Sequence, residues 1–178
     1  LDKRLVEGLV VCADSGLDHA LAAGIAPDIV VGAVDSSAVA VPAGIECIRV
    51  DPIKDDTDTI LAAETAMSRG CTELRFFCAL GGRLDHAMAN VQMLEHLREK
   101  GVSAVLYGGG ESVRLLGAGE SVKLDRHGGF VSVFALTETA VVTETGMKYE
   151  LDRYPLKRSF PLGVSNEIAA EYGIISVD

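Results

Sequence analysis

Between residue 9 and about residue 107, short apolar runs alternate with stretches of helical periodicity. The runs at 9–13, 28–31, 45–50, 74–80 and 102–107 read as buried parallel strands, which are near-continuously apolar because both faces are covered. Segments 17–23, 57–69 and 84–100 predict helices. In the last, Leu84, Ala87, Met88, Val91 and Leu94 recur at helical spacing. Gly24, Gly70 and Gly101 each stand just past a helix, where a left-handed residue ends it. Alternating strand and helix predicts a parallel α/β sheet. After Gly108-Gly109-Gly110 the texture changes. Runs at 112–116, 121–124, 130–136, 140–145 and 173–177 alternate between apolar and polar, punctuated by turn residues and without a helix pattern. The expected fold class is α/β, with an N-terminal parallel-sheet domain over 1–109 followed by a C-terminal antiparallel β-sandwich over 110–178.

Composition narrows the chemistry. With 48% apolar and 24% charged residues among 178, the chain can bury a real core in one large or two small domains. A net charge of −10 opposes nucleic acid and anionic membrane, so neither is expected as a partner. It opposes phosphate substrates too, unless a divalent metal screens the carboxylates. The cysteines at 12, 47, 71 and 78 form no C-x-x-C pair and lie mostly in apolar runs, which predicts free thiols rather than zinc and fits a reducing cytoplasm. The apolar stretch at 21–34 is broken by Pro27 and Asp28 and is too short to span a membrane; no signal-peptide pattern is visible.

Candidate chemistry collects at strand ends, where ligands bind in parallel α/β sheets. Asp14-Ser15-Gly16 follows the first strand; as a bland alternative, both side chains suit a helix N-cap. Gly32-Ala33-Val34-Asp35-Ser36 follows the second, where Asp35 also fits a turn. In Lys54-Asp55-Asp56-Thr57-Asp58, clustered carboxylates repel one another and a hard cation such as Mg²⁺ relieves that repulsion; the competing reading is an acidic first helical turn. Gly81-Gly82-Arg83-Leu84-Asp85-His86 opens the longest predicted helix. Paired glycines allow close backbone approach, a helix N-terminus attracts phosphate, and Arg83 can fork onto phosphate oxygens. These ends should converge on one edge of one sheet. No Walker A or G-x-G-x-x-G pattern occurs, which disfavours P-loop kinases and nicotinamide enzymes. Gly163-Val164-Ser165-Asn166-Glu167 reads, on composition, as a turn.

In this order, the five segments resemble the thiamine pyrophosphokinase family. That family runs Asp-Gly-Gly or Asp-Ser-Gly, Gly-Asp-x-Asp-Ser, Asp-x-Thr-Asp, Gly-Gly-Arg-x-Asp-His and finally Ser-Asn. Gly146 to Leu151 is similar to its Gly-x-Lys-Tyr-x-Leu segment. The resemblance spans about 9–177. It implies a homodimer with active sites at the interface, converting thiamine and ATP to thiamine diphosphate and AMP in the cytoplasm. By the same likeness Asp35, Asp55 and Asp58 hold Mg²⁺, with Arg83 and Asp85 joining them in catalysis. Asp14, Ser15, Gly16, Gly81, Gly82, Arg83 and His86 shape the ATP site, and Ser165 and Asn166 contact thiamine. Two departures stand out. Ala33 replaces a usual aspartate, and the family's first strand with its glycine-rich turn has no counterpart before Leu1. Alternatives are a thiamine- or nucleotide-binding homologue with impaired catalysis, a pterin diphosphokinase, and a structural α/β protein.

Overall fold

The computed structural model describes residues 3–32, 40–49 and 57–178. The chain forms two compact units, Leu1–Leu115 and Leu116–Asp178.

In the first unit, β1 (Val11–Ala13), β2 (Ile29–Gly32) and β3 (Glu46–Arg49) form a parallel sheet, with α1 (Gly16–Ala22) between β1 and β2. β2 is buried at all four positions, as a central apolar strand must be. Leu17, Ala20, Cys12 and Val30 close the small core under α1. A second group follows: α2 (Asp58–Ser68), β4 (Glu73–Phe76), α3 (Leu84–Glu99), β5 (Ser103–Gly108) and β6 (Glu111–Arg114). β4 pairs parallel to β5, and β6 returns antiparallel along β5. Leu97 and Leu106, 1% and 0% exposed, sit in a core with Ala63, Met93, Leu94 and Val102.

Three sequence expectations are corrected here. Among the described residues the parallel strands lie in two three-stranded sheets, not one. Most of the run at 112–116, expected in the β domain, belongs to the first unit, where Glu111–Arg114 form β6; Leu116 begins the second. Gly109 and Gly110, at φ +59° and +82°, supply the left-handed pair that a two-residue hairpin turn requires, so the chain folds back on β5. The expected face of α3 is covered only in its later part: Leu84 and Met88 are 77% and 57% exposed, while Val91 packs on the core and Met93, Leu94 and Leu97 are buried.

The second unit contains β7 (Ser121–Asp125), β8 (Phe130–Val131), β9 (Thr139–Thr145), β10 (Leu151–Lys157), β11 (Asn166–Glu167) and β12 (Tyr172–Val177). Antiparallel pairing gives the order β10-β9-β12-β7, with β11 and β8 as a separate ribbon. Ala135, Val142, Leu156 and Ile175 form the core of this unit, joined by Val131 and Val133 from the ribbon side. This is the layered antiparallel unit the alternating pattern predicts, and its described residues contain no helix.

Leu106→Ala is expected to destabilise the first unit by about 2–5 kcal/mol, since it removes a fully buried side chain from a packed core. Urea unfolding checks this, and a loss below about 1 kcal/mol would contradict the packing described.

Candidate functional site

The first strand ends are built by close backbone packing. Asp14 adopts φ +46° and donates its N–H to the Val31 carbonyl at 2.9 Å, so the end of β1 is tied to the end of β2. Gly32 has φ +139°, and a Cβ there would lie 3.4 Å from the Asp14 nitrogen. Only glycine takes that backbone without strain. The Asp14 carbonyl accepts from Leu17 N–H at 3.2 Å, which starts α1 directly after the strand. Ser15 stands at the N-cap without a capping side-chain bond, so its exposed hydroxyl is not spent on the helix. Thr57, in contrast, caps α2: its hydroxyl accepts from Ile60 N–H at 3.3 Å. Asp58 follows in the first turn, where the helix dipole favours its charge.

A second turn lies after β4. The run at 74–80 gives only Glu73–Phe76 as strand, because Cys78 turns left-handed at φ +59°. Three contacts clamp the turn: Phe77 stacks on Tyr107 at 5.2 Å, Ala79 N–H donates to the Tyr107 carbonyl at 3.0 Å, and the Asn90 side chain donates to the Ala79 carbonyl at 2.8 Å. Gly108 is required here, since a Cβ would meet the Leu80 carbonyl oxygen at 2.5 Å. Gly81 and Gly82, at φ +90° and +73°, then carry the chain into α3.

These two turns and the start of α2 border one cavity of about 920 Å³. Asp14, Ser15, Gly16, Asp58, Gly81 and His86 all line it. Its walls include the edges of β1 and β4, each of which is hydrogen-bonded on one side only among the described residues. Thr57 of the 54–58 segment lines it too, as do Cys78 and Asn90, which were not read as site residues from the sequence. For Asn90 a signal existed: it is a polar residue one position before Val91 on a helix whose neighbours at 93 and 94 are buried.

Other expected site residues lie elsewhere. Gly82, Arg83 and Asp85 do not line the cavity. Arg83 forks onto Asp85 with contacts of 3.1 and 2.5 Å, both side chains being largely exposed. The hydrogen bond from Arg83 holds the Asp85 carboxyl below the usual range, and His86 N–H adds to it. Arg83 is correspondingly pushed up. An incoming anion must compete with Asp85 for this guanidinium. Asp35 and Asp55 lie outside the described residues, as does Ala33. Among the described residues no three His, Cys, Asp or Glu side chains are grouped to hold a metal.

Ser165 and Asn166 belong to the second unit. Ser165 is exposed at φ +60°, and its N–H donates to the Ser132 hydroxyl at 3.1 Å. Asn166 is 8% exposed and its amide is fully engaged. Nδ2 donates to Glu144 Oε2 and to the Tyr149 carbonyl, both at 2.7 Å. Oδ1 accepts from Tyr149 N–H at 3.1 Å and Glu167 N–H at 2.9 Å. Both donors and both acceptor positions are thus spent within the protein. Glu144, 1% exposed, is pushed up by burial, partly offset by the bond from Asn166.

The family model "Thiamin pyrophosphokinase, catalytic domain" matches residues 6–106, and "Thiamin pyrophosphokinase, vitamin B1 binding domain" matches 121–178. The chain belongs to the thiamin pyrophosphokinase family. The cavity falls within the catalytic match and the Glu144–Asn166 network within the vitamin B1 binding match. Membership makes the protein a kinase-type transferase with a thiamine-binding domain. Solved structures agree on the fold. Thiamine pyrophosphokinase from Bacillus subtilis superposes with a TM-score of 0.86 at 23% identity, covering 97% of this chain and 84% of that one. The enzyme from Geobacillus thermodenitrificans gives 0.75 at 26%, covering 100% and 86%. That from Candida albicans gives 0.77 at 16%, covering 95% and 78%. No curated protein matches the chain. Among the described residues, no helix is long and apolar enough to cross a membrane.

Cys12 lines the cavity floor, and burial pushes its thiol up to about 11. At pH 8 only about one molecule in a thousand carries the thiolate. A native thiol titration is expected to label exposed Cys47 and Cys78 and to leave Cys12 unmodified until denaturant is added. Rapid labelling of Cys12 would contradict the burial.

Proposed function

We propose that this protein transfers a diphosphate from ATP to the hydroxyl of thiamine, giving thiamine diphosphate and AMP. The observation that supports this most is the convergence of Asp14, Ser15, Gly16, Asp58, Gly81 and His86 on one cavity within the catalytic-domain match. The thiamine hydroxyl oxygen attacks the β-phosphorus, the bond between that phosphorus and the α–β bridging oxygen breaks, and AMP leaves with the electron pair. A cavity aspartate takes the hydroxyl proton. Such reactions are governed by positioning and by stabilisation of charge on the phosphoryl oxygens. Backbone N–H groups at the start of α3 and the Arg83 guanidinium, drawn off Asp85 by the phosphates, supply that stabilisation in this reading.

Mg²⁺ is the cofactor proposed, with Asp35, Asp55 and Asp58 as its carboxylates; hard oxygen donors suit that ion, and Asp58 already stands on the cavity wall. When bound it would neutralise charge on the diphosphate. Ala33 removes one usual carboxylate, so turnover is reduced rather than lost. The reading includes a cytoplasmic homodimer with active sites at the interface. Supporting it, the β8–β11 side of the second unit exposes Phe130, Phe134, Phe160, Leu162 and Val164, an apolar surface of the kind that a partner covers.

The test measures thiamine-dependent AMP formation with ATP and Mg²⁺. Asp58→Asn is expected to lower the rate about a hundredfold, and Ala33→Asp to raise it and tighten the Mg²⁺ dependence. Thiamine is expected to outperform hydroxymethyl-dihydropterin as acceptor. AMP formed with the pterin alone would replace this reading by the pterin enzyme; thiamine binding without any AMP would leave a binding homologue.

A further inference from the structure

The geometry points to Glu144 as a positioning residue that fixes the Asn166 amide and thereby presents Ser165 and Tyr149 to thiamine. The inference rests on the reading of the second unit as the thiamine-binding domain. It changes what Asn166 does there: the residue acts as a framework rather than a direct ligand contact, because its four hydrogen-bonding positions are taken.

An asparagine amide has nearly the same shape in either of its two orientations, so its neighbours decide which way it points. Around Asn166 the backbone offers two donors, Tyr149 N–H and Glu167 N–H, and one acceptor, the Tyr149 carbonyl. The remaining position faces Glu144, 2.7 Å away. The three backbone groups direct Oδ1 to the two N–H groups and Nδ2 to the other side, and the carboxylate there, which can only accept, takes the second Nδ2 proton and locks that orientation. Without that acceptor one buried Nδ2 proton is left unmet, and an unmet buried donor is costly enough to shift local structure.

The amide links three segments. It holds the chain at Tyr149 to the chain at Glu167, alongside the Lys148–Glu167 ion pair at 2.7 Å and the Met147–Ile168 bridge. It also follows directly on Ser165, whose φ of +60° is uncommon for a residue with a side chain. Ser165 is held from one side by Ser132 and from the other by the anchored Asn166. Among the side chains this arrangement leaves facing solvent are the Ser165 hydroxyl and the Tyr149 ring, 65% exposed, with Lys148 Nζ 5.8 Å from the ring centroid. A hydroxyl and an aromatic face suit a small cationic heteroaromatic ligand. Glu144 is 1% exposed, and its bond to Asn166 is the route by which it reaches these side chains.

The experiment compares Glu144→Leu, Glu144→Gln and the wild type in the full chain. Calorimetry gives thiamine and ATP affinities, and hydrogen exchange follows the Tyr149 and Glu167 amides. Glu144→Leu, verified as folded by its melting transition, is expected to bind thiamine about tenfold more weakly, with ATP affinity unchanged and both amides exchanging faster. Glu144→Gln keeps an acceptor oxygen and is expected to stay within about threefold of wild type. A folded Glu144→Leu protein with wild-type thiamine affinity and exchange overturns the proposal. If the leucine variant does not fold, a tenfold thiamine loss in folded Glu144→Gln overturns it, and retention supports it. If the wild type binds no thiamine, the proposed function fails, and the exchange rates alone decide whether Glu144 positions Asn166.

Discussion

The catalytic unit depends on two places where backbone passes directly against backbone. At one, Gly32 lies beside Asp14 and brings the ends of β1 and β2 together. At the other, Gly108 lies against Leu80 and holds the turn that leads into α3. A Cβ at Gly108 would collide with the Leu80 backbone, and any side chain at Gly32 would be strained at φ +139°. Main chain lies on both sides of these contacts, and at the second turn the Phe77–Tyr107 stack and the Asn90 amide add to them. That gives the cavity preset edges: residues 14–16 on one side and residues 78, 79 and 81 on the other. Positioning of this kind is what phosphoryl-transfer chemistry draws on most.

The second unit solves a similar problem with a side chain. Its loops at 146–150 and 163–167 are held by the Asn166 amide, which is itself oriented by a buried carboxylate. Burying Glu144 is unfavourable for its charge, and the bond to Asn166 offsets only part of that.

Much of the first unit was legible because its strands are apolar on both faces and its helices end at glycine. β1, β2, β3 and β5, with α1, α2 and α3, all fall where periodicity puts them. β4 came out short because an apolar run does not reveal that Cys78 turns left-handed. β6 was given to the wrong unit because strand pairing is decided by the Gly109-Gly110 turn, not by the alternation that makes 112–116 look like the β domain. Leu84 and Met88 misled the reading of α3, since spacing identifies a helical face but not how far along the helix it stays covered. The site was legible in part: motifs placed at strand ends do gather at one cavity, yet Arg83 and Asp85 pair with each other outside its lining, and Asp35 and Asp55 lie outside the described residues. Glu144 was missed although its signal was present. It occupies the inward set of β9 with Val142, and a carboxylate in an inward strand position needs a partner.

A diphosphate transfer is defined by which bond of ATP is broken. Phosphorus NMR of the protein incubated with thiamine, ATP and Mg²⁺ tests it directly, because each product has its own resonances. AMP and thiamine diphosphate are expected in equal amounts, with neither formed when thiamine is left out. ADP appearing together with thiamine monophosphate would contradict it.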